Sequence, residues 1–315
     1  MALDERPFHH WLRKFLLPGS RVLLGAGDDA AALRGTGRSP VWLTSDALVE
    51  QYHFLRASPA SSIGAAVVGV NLSDLAAKGA TPIALLIDLI APPGTPRRWA
   101  EGVLRGAQKA AQHYRTPIVG GDTKPGATRA VVGFAAGVSP GPHFPTRAGA
   151  RPGDLLVTTG PVGRGGWREF RMRQRPGPTA LRRLLEITPR LEEGKRLAGH
   201  AHAMIDTSDG IAEAVHLLAE ASDVRMVLQE AALPIEPALR RAVRERSRRL
   251  EIAFRGGDYE LLAAVPSGRR SLKSEFPSVV VGRVESGSGA WLERGGKLLP
   301  LPHSTWQPFR RRAKR

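Results

Sequence analysis

Apolar residues gather in short runs along the chain, separated by polar and glycine-rich punctuation, and this spacing predicts alternating strands and helices. Val41 to Leu43 is a short apolar run ending in Thr44, Ser45 and Asp46, as a strand would deliver polar groups at its C-terminal end. Ser58-Pro59 starts a helix, with a capping side chain followed by proline at the first helical position. The helix is small and apolar through Val70, reads on to Lys78 and stops at Gly79. Pro82 to Ala91 reads as a buried strand, Thr95-Pro96 caps a helix to about Tyr114, Ile118-Val119 leads into Gly120-Gly121-Asp122, and Ala130 to Val138 is a further strand. Residues 139–153 hold seven Pro or Gly in 15 positions, which places a domain boundary there. Beyond it, Asp154 to Thr159, Val224 to Leu228, Leu261 to Val265 and Val279 to Val284 are strand candidates. A turn over Asp206 to Gly210 feeds an amphipathic helix with Ile211, Val215, Leu218 and Ala219 on one face. Strands alternating with helices in two halves predict a mixed α/β fold of two domains, 1–145 and 146–315.

Composition narrows the class. The chain has 315 residues, 42% hydrophobic and 24% charged, a length that suggests two domains or one large one and is enough to bury a real core. No run reaches the roughly 18 apolar residues of a membrane span. The first residues carry no apolar core before a cleavage site, so a cytoplasmic protein is expected and no membrane partner. Cysteine is absent, which removes disulfides, thiol nucleophiles and thiolate metal sites, and leaves oxygen or imidazole to hold any metal. The net charge of +17 comes largely from arginines in residues 167–183, 239–250 and 309–315. Aromatic residues do not interleave with these runs as stacking platforms would, so solvated helix faces are expected and nucleic acid is not an expected partner.

The candidate chemistry lies in aspartates set beside apolar elements in small or glycine-rich contexts: Asp28, Asp29, Asp46, Asp74, Asp122, Asp206 and Asp209. Each alone is an ordinary turn or cap residue. Burying several together is prohibitively costly unless cations neutralise them, and Mg²⁺ binds through a few carboxylates plus substrate phosphates. The set therefore points to a metal–nucleotide site for phosphoryl transfer. Neither the P-loop spacing nor the dinucleotide fingerprint is present. Asp88, inside a strand run, and Asp154 read as structural.

Taken in order, GAGDDAA, LTSDALVEQYHF, VNLSDLAAKGATP, VGGDTK, TRAGARPGD, IDTSDGIAEA and GGDYELL resemble the thiamine-monophosphate kinase family. That family belongs to the superfamily of aminoimidazole ribonucleotide synthetase and selenophosphate synthetase. The likeness runs from about Leu24 to Trp306. It implies a homodimer built on the N-terminal α/β domain, a C-terminal α/β domain completing the active-site cleft, and ATP-dependent phosphorylation of thiamine monophosphate to thiamine diphosphate with several Mg²⁺ ions. By the same resemblance Asp29, Thr44, Ser45, Asp46, Asp74, Asp122, Asp206 and Asp209 fall on metal positions, with Asp46, Asp74, Asp122 and Asp209 central to catalysis. Gly121, Asp122, Arg147 and Ser208 fall on ATP positions, and His53 and Trp306 on substrate positions.

The chain departs from the family pattern at four places. Gln51 stands where a glycine is usual, Lys78 replaces a methionine, Lys124 follows Gly-Gly-Asp-Thr where a small hydroxyl residue is common, and Gly257 stands where a glutamate is usual unless the turn is one residue shorter. Most of these fall on the substrate side. A relative acting on another phosphorylated acceptor and a non-catalytic ATP-binding relative are therefore the alternatives.

Overall fold

The computed structural model describes residues 8–303 apart from 9, 10, 13, 17, 18, 36, 38, 142 and 269–277. Among these the strands form two seven-stranded sheets, one in each half of the chain. The first holds β1 (Val22–Leu24), β2 (Ala31–Arg34), β3 (Pro40–Val49), β4 (Thr81–Ala91), β5 (Ile118–Gly120), β6 (Thr123–Pro125) and β7 (Ala130–Val138). Its order is β1-β2-β3-β7-β4-β5, with β6 also on β4. The long central strands β3, β7 and β4 pair antiparallel. The second sheet holds β8 (Asp154–Thr158), β9 (Ala203–Asp206), β10 (Arg225–Gln229), β11 (Leu261–Pro266), β12 (Val279–Glu285), β13 (Gly289–Arg294) and β14 (Lys297–Pro300), in the order β14-β13-β10-β12-β8-β11-β9.

β3 does not stop at Leu43. It runs on to Val49, so Thr44, Ser45 and Asp46 sit in mid-strand, opposite Ala135, Phe134 and Gly133 of β7. Backbone pairing carries the strand through the polar triplet, because the ladder uses main-chain groups and needs no apolar side chain. Alternation along the strand then places Thr44 and Asp46 on the face of Trp42 and Leu48, and Ser45 on the other.

Helices α1 (Ala60–Ala76) and α2 (Arg97–His113) pack on the buried face of the first sheet. α1 is apolar all round and buried over most of its length, as expected of a helix with neighbours on every side. Its polar residues beyond the first turn, Asn71, Ser73 and Asp74, lie near its C-terminal end. The second half carries α3 (Arg164–Gln174), α4 (Pro178–Leu184), α5 (Leu191–Ala198), α6 (Ile211–Ser222), α7 (Pro237–Ala242) and α8 (Arg246–Ala253). One apolar cluster crosses between the halves, joining Leu72 and Leu75 of α1 to Leu191 and Leu197 of α5, Met204 of β9 and Leu261 of β11.

Several arginines of the two internal runs lie on helix surfaces and pair with glutamates: Arg173 with Glu169, Arg246 with Glu230, Arg248 with Glu251. Arg310 to Arg315 lie outside the described residues. No helix among the described residues is long and apolar enough to cross a membrane.

Candidate active site

Where the halves meet, three segments bring carboxylates together. β3 supplies Asp46, α1 supplies Asp74, and the end of β9 with the turn that follows it supplies Asp206 and Asp209. Water reaches Asp46, yet protein encloses much of it; desolvation, then the charges of Asp206 and Asp209, pushes its carboxyl up to about 7. Asp74 is pushed well above the ordinary range, by burial first and then by Asp46, Asp206 and Asp29. Asp206 rises through burial and the charge of Asp29. Hydroxyls hold these groups in place. Thr44 Oγ1 donates to Asp74 Oδ2, Ser73 Oγ to Asp206 Oδ2 at 2.6 Å and Ser208 Oγ to Asp206 Oδ1 at 2.7 Å. Asn71 fixes the strand, its Oδ1 accepting from the backbone N–H of Asp46 at 3.1 Å while its Nδ2 donates to Val67 O.

A second group of charges adjoins the first. Lys78, wholly buried just past α1, makes ion pairs with Asp28 and with Asp29 Oδ2, the latter at 2.8 Å. Arg147 sends Nε and Nη2 to Asp29 Oδ1 at 3.1 and 2.6 Å, and its backbone N–H to Asp28 Oδ2 at 2.8 Å. Burial alone would raise Asp29, but the charges of Arg147 and Lys78 outweigh it and hold the carboxyl below its ordinary value.

The structure does not bring every expected residue to this place. Gly121 and Asp122 lie on the exposed turn between β5 and β6 at the edge of the first sheet. There Asp88 accepts the backbone N–H of Asp122 at 2.7 Å, and the Asp122 carboxylate pairs with Lys124 at 3.1 Å and accepts from Thr123 N. Gly121 is required for this turn, since a Cβ on it would meet Ile87 O at 1.9 Å. Ser45 donates to Gly133 O on the sheet's other face. His53, in the turn after β3, accepts the Val49 N–H on Nδ1 at 3.0 Å; desolvation lowers its pKa, so it stands as a neutral ring protonated on Nε2. Trp306 lies outside the described residues.

Three contributors are given no role in the site by the sequence. Ser73 looks like any small residue of an apolar helix, and Lys78 stands out only as a departure from the usual methionine. Tyr259 carries a phenol raised well above its usual value, by burial and then by Asp46, Asp206, Asp209 and Asp74, so it stays protonated beside the cluster. Its φ of +53° is a conformation that aromatic residues rarely adopt. The adjoining turn departs from the family pattern for a geometric reason: Gly257 has φ +92°, a glycine conformation, so its backbone suits the shortened Gly-Gly turn better than a glutamate.

The donor set is oxygen throughout, which suits a hard divalent cation. The raised carboxyls of Asp46, Asp74 and Asp206 are the imbalance that such an ion relieves. Among the described residues, no three acidic or imidazole side chains are already drawn together as a ligand set. Two concavities lie elsewhere and hold none of these carboxylates: about 520 Å³ beside Leu23, Arg34 and Phe144, and about 270 Å³ beside Trp99 and Lys124.

Comparison with known proteins agrees with this architecture. Residues 27–139 match the family described as AIR synthase related protein, N-terminal domain, and residues 151–290 match the corresponding C-terminal domain. The chain is 31% identical over 284 residues to the thiamine-monophosphate kinase of Pyrococcus horikoshii, covering 89% of this chain and 90% of that one. It is 36% identical over 262 residues to that of Halobacterium salinarum, covering 82% and 87%. Among solved structures, AaThiL complexed with AMPPCP and TMP superposes with a TM-score of 0.86 at 27% identity, covering 98% of this chain and 99% of that one. HypE in complex with ATP, at 23% identity and a TM-score of 0.72, shares the fold. This chain belongs to the thiamine-monophosphate kinase family of AIR synthase-related proteins.

Proposed function

We propose that this protein transfers the terminal phosphoryl group of ATP to the phosphate of thiamine monophosphate, giving thiamine diphosphate and ADP. The observation that carries the reading is the hydrogen-bonded link across the seam, in which Thr44 of β3 donates to Asp74 of α1 and Ser73 of α1 donates to Asp206 in the other half of the chain. The relatives' names and the AMPPCP and TMP complex of AaThiL support the two substrates. The acceptor phosphate is itself a nucleophile, so neither a phospho-enzyme nor a dedicated strong base is needed, and the protein's work is positioning for direct in-line transfer.

Asp46, Asp74, Asp206 and Asp209, with Thr44 beside them, are the residues that would hold Mg²⁺. Bound there, Mg²⁺ supplies charge neutralisation between two anionic phosphates and aligns donor with acceptor. Thr44 orients Asp74, Ser73 and Ser208 orient Asp206, and Asn71 fixes the backbone beneath Asp46. Arg147 lies at the edge of the cluster, its side chain 20% exposed and its charge felt by Asp206 as well as Asp29. Neutral His53, protonated on Nε2, has the form that donates to a substrate phosphate. Ser45 and Asp122 stand on the far face and edge of the sheet, so the proposal gives them no part in this ligand set.

The first sheet also supports the homodimer. Its face opposite α1 and α2 is apolar and only half-covered, with Leu43, Ala47, Val132, Phe134 and Ile90 half-buried and Leu86 38% exposed. An apolar sheet face of this kind is what a second copy covers. Light scattering of the purified chain at twice the monomer mass is the expected result.

The test of function is mass-spectrometric detection of thiamine diphosphate from the protein, ATP, Mg²⁺ and thiamine monophosphate. Asp46→Asn should abolish it while leaving the circular dichroism unchanged. ADP release with another phosphorylated acceptor but not with thiamine monophosphate would replace the acceptor. ATP binding without turnover on any acceptor would overturn the kinase reading.

A further inference from the structure

Lys78 is fully buried, and burying an ammonium is prohibitive unless its protons are satisfied. Here Nζ donates to the Asp28 carboxylate and, at 3.3 Å across the seam between the halves, to the Met204 carbonyl, and it stands 2.8 Å from Asp29 Oδ2 in an ion pair. Arg147 occupies the remaining oxygen of Asp29 and, through its backbone N–H, the remaining oxygen of Asp28. Both carboxylates, whose side chains are only 5% and 1% exposed, are thus paired with cations of the chain itself, Asp29 Oδ2 through the Lys78 ion pair alone and without a hydrogen bond. Two anions face two cations, and this end of the acidic seam is electrically closed. The other end differs: Asp74 is held by the hydroxyl of Thr44 and Asp206 by that of Ser73.

We propose that Lys78 is a built-in cation standing where a divalent ion would otherwise neutralise Asp28 and Asp29, so that divalent ions load only at the Asp46, Asp74, Asp206 and Asp209 end. Asp29 is then an anchor for Lys78 and Arg147 and not a metal ligand, against the assignment that resemblance gives it. The inference rests on the metal reading of the proposed function, and its test separates the two. A lysine ammonium is covalently fixed and does not dissociate, so the closed end keeps its charge balance at any Mg²⁺ concentration.

The experiment counts Mn²⁺ per chain by electron paramagnetic resonance in the presence of AMPPCP, for the full-length protein and for Lys78→Met, Asp29→Asn and Asp46→Asn. Methionine keeps the length of the side chain and removes the charge. Lys78→Met is expected to bind one more Mn²⁺ per chain than the wild type, and to acquire a rise in Tm on adding Mn²⁺ larger than the wild type shows. Asp29→Asn is expected to bind the same number as the wild type. Equal counts for wild type and folded Lys78→Met would overturn the proposal, as would the loss of an ion from Asp29→Asn. If Lys78→Met does not fold, the Asp29→Asn count decides alone. An Asp46→Asn protein that keeps the full count sinks the metal reading itself, a result distinct from either.

Discussion

Ser73 of α1 donates its hydroxyl to Oδ2 of Asp206 at the end of β9, a contact of 2.6 Å between side chains 133 positions apart, both buried. It ties the first half of the chain to the second at the point where the acidic residues meet. Ser73→Ala leaves Asp206 with Ser208 alone and removes a hydrogen bond that opposes the upward push of burial on its carboxyl. A buried hydrogen bond to a charged group is worth roughly 1.5–3 kcal/mol. Urea unfolding of Ser73→Ala should show a loss of about 2 kcal/mol, with the midpoint shifted and the slope unchanged.

Glu260 holds the second half together a short distance away. Its carboxylate takes Arg190 at 2.8 and 2.6 Å in a fork, Thr159 at 2.7 Å and Arg164 at 3.2 Å, with only 2% of the side chain exposed. These partners are the residue before α5, the end of β8 and the start of α3. Glu260→Gln keeps the shape and removes the charge, leaving two guanidinium groups facing a neutral amide. Breaking a buried pair costs about 3–5 kcal/mol. Glu260→Gln should lose roughly 3 kcal/mol in urea unfolding, whereas Glu192→Gln, on an exposed pair with Lys195, should change stability by less than about 1 kcal/mol.

Much of the first half was legible because its runs are long and sharply bounded. Ala130 to Val138 matches β7 end to end, and Pro82 to Ala91 matches β4 within one residue. The helix begun at Pro96 ends at His113. Thr44-Ser45-Asp46 misled because the side-chain pattern breaks where the backbone ladder does not, and only pairing with β7 reveals that the strand continues. The acidic cluster was legible as a kind of chemistry and not as a geometry. Nothing in local spacing separates Asp46, on the buried face of a central strand, from Asp122, on an edge turn. Lys78 was opaque for a related reason, since a lysine can be buried only when distant residues supply its partners, and those partners lie 50 and 126 positions away.

Gln51 has φ +72°, in the left-handed region, where its Cβ crowds the backbone. The residue sits in the turn after β3, its N–H bonded to Phe54 O at 2.8 Å, so the turn is fixed by hydrogen bonds and not by the side chain. That is a glycine conformation, in keeping with the glycine usual in the family. Relief of the left-handed penalty, roughly 1–2 kcal/mol, exceeds the roughly 0.5–1 kcal/mol of added chain entropy. Gln51→Gly should therefore stabilise the protein by about 0.5–1 kcal/mol, read as a rise in Tm by calorimetry. Gln51→Ala, which keeps the Cβ, should bring no gain.

Asp258 gives a pH signature free of the candidate site. It is 5% exposed and accepts the backbone N–H groups of Gly163 and Gly165, both at 2.7 Å, at the N-terminus of α3. Burial pushes its carboxyl up to about 7 even though these two bonds act to lower it. In the unfolded chain the same carboxyl titrates near the ordinary 3.8. Between those values the folded state holds the proton that the unfolded state has lost, so the contribution of Asp258 to stability declines as pH rises from about 4 to about 7 and is flat beyond. Each unit of displacement corresponds to about 1.4 kcal/mol, so the full decline is on the order of 4–5 kcal/mol. Asp258→Asn removes the titration. Its stability relative to the wild type, measured by urea unfolding from pH 4.5 to pH 8, should climb steadily to about pH 7 and then level off. A difference independent of pH would mean that Asp258 is ionised across the whole range and caps α3 as a charge.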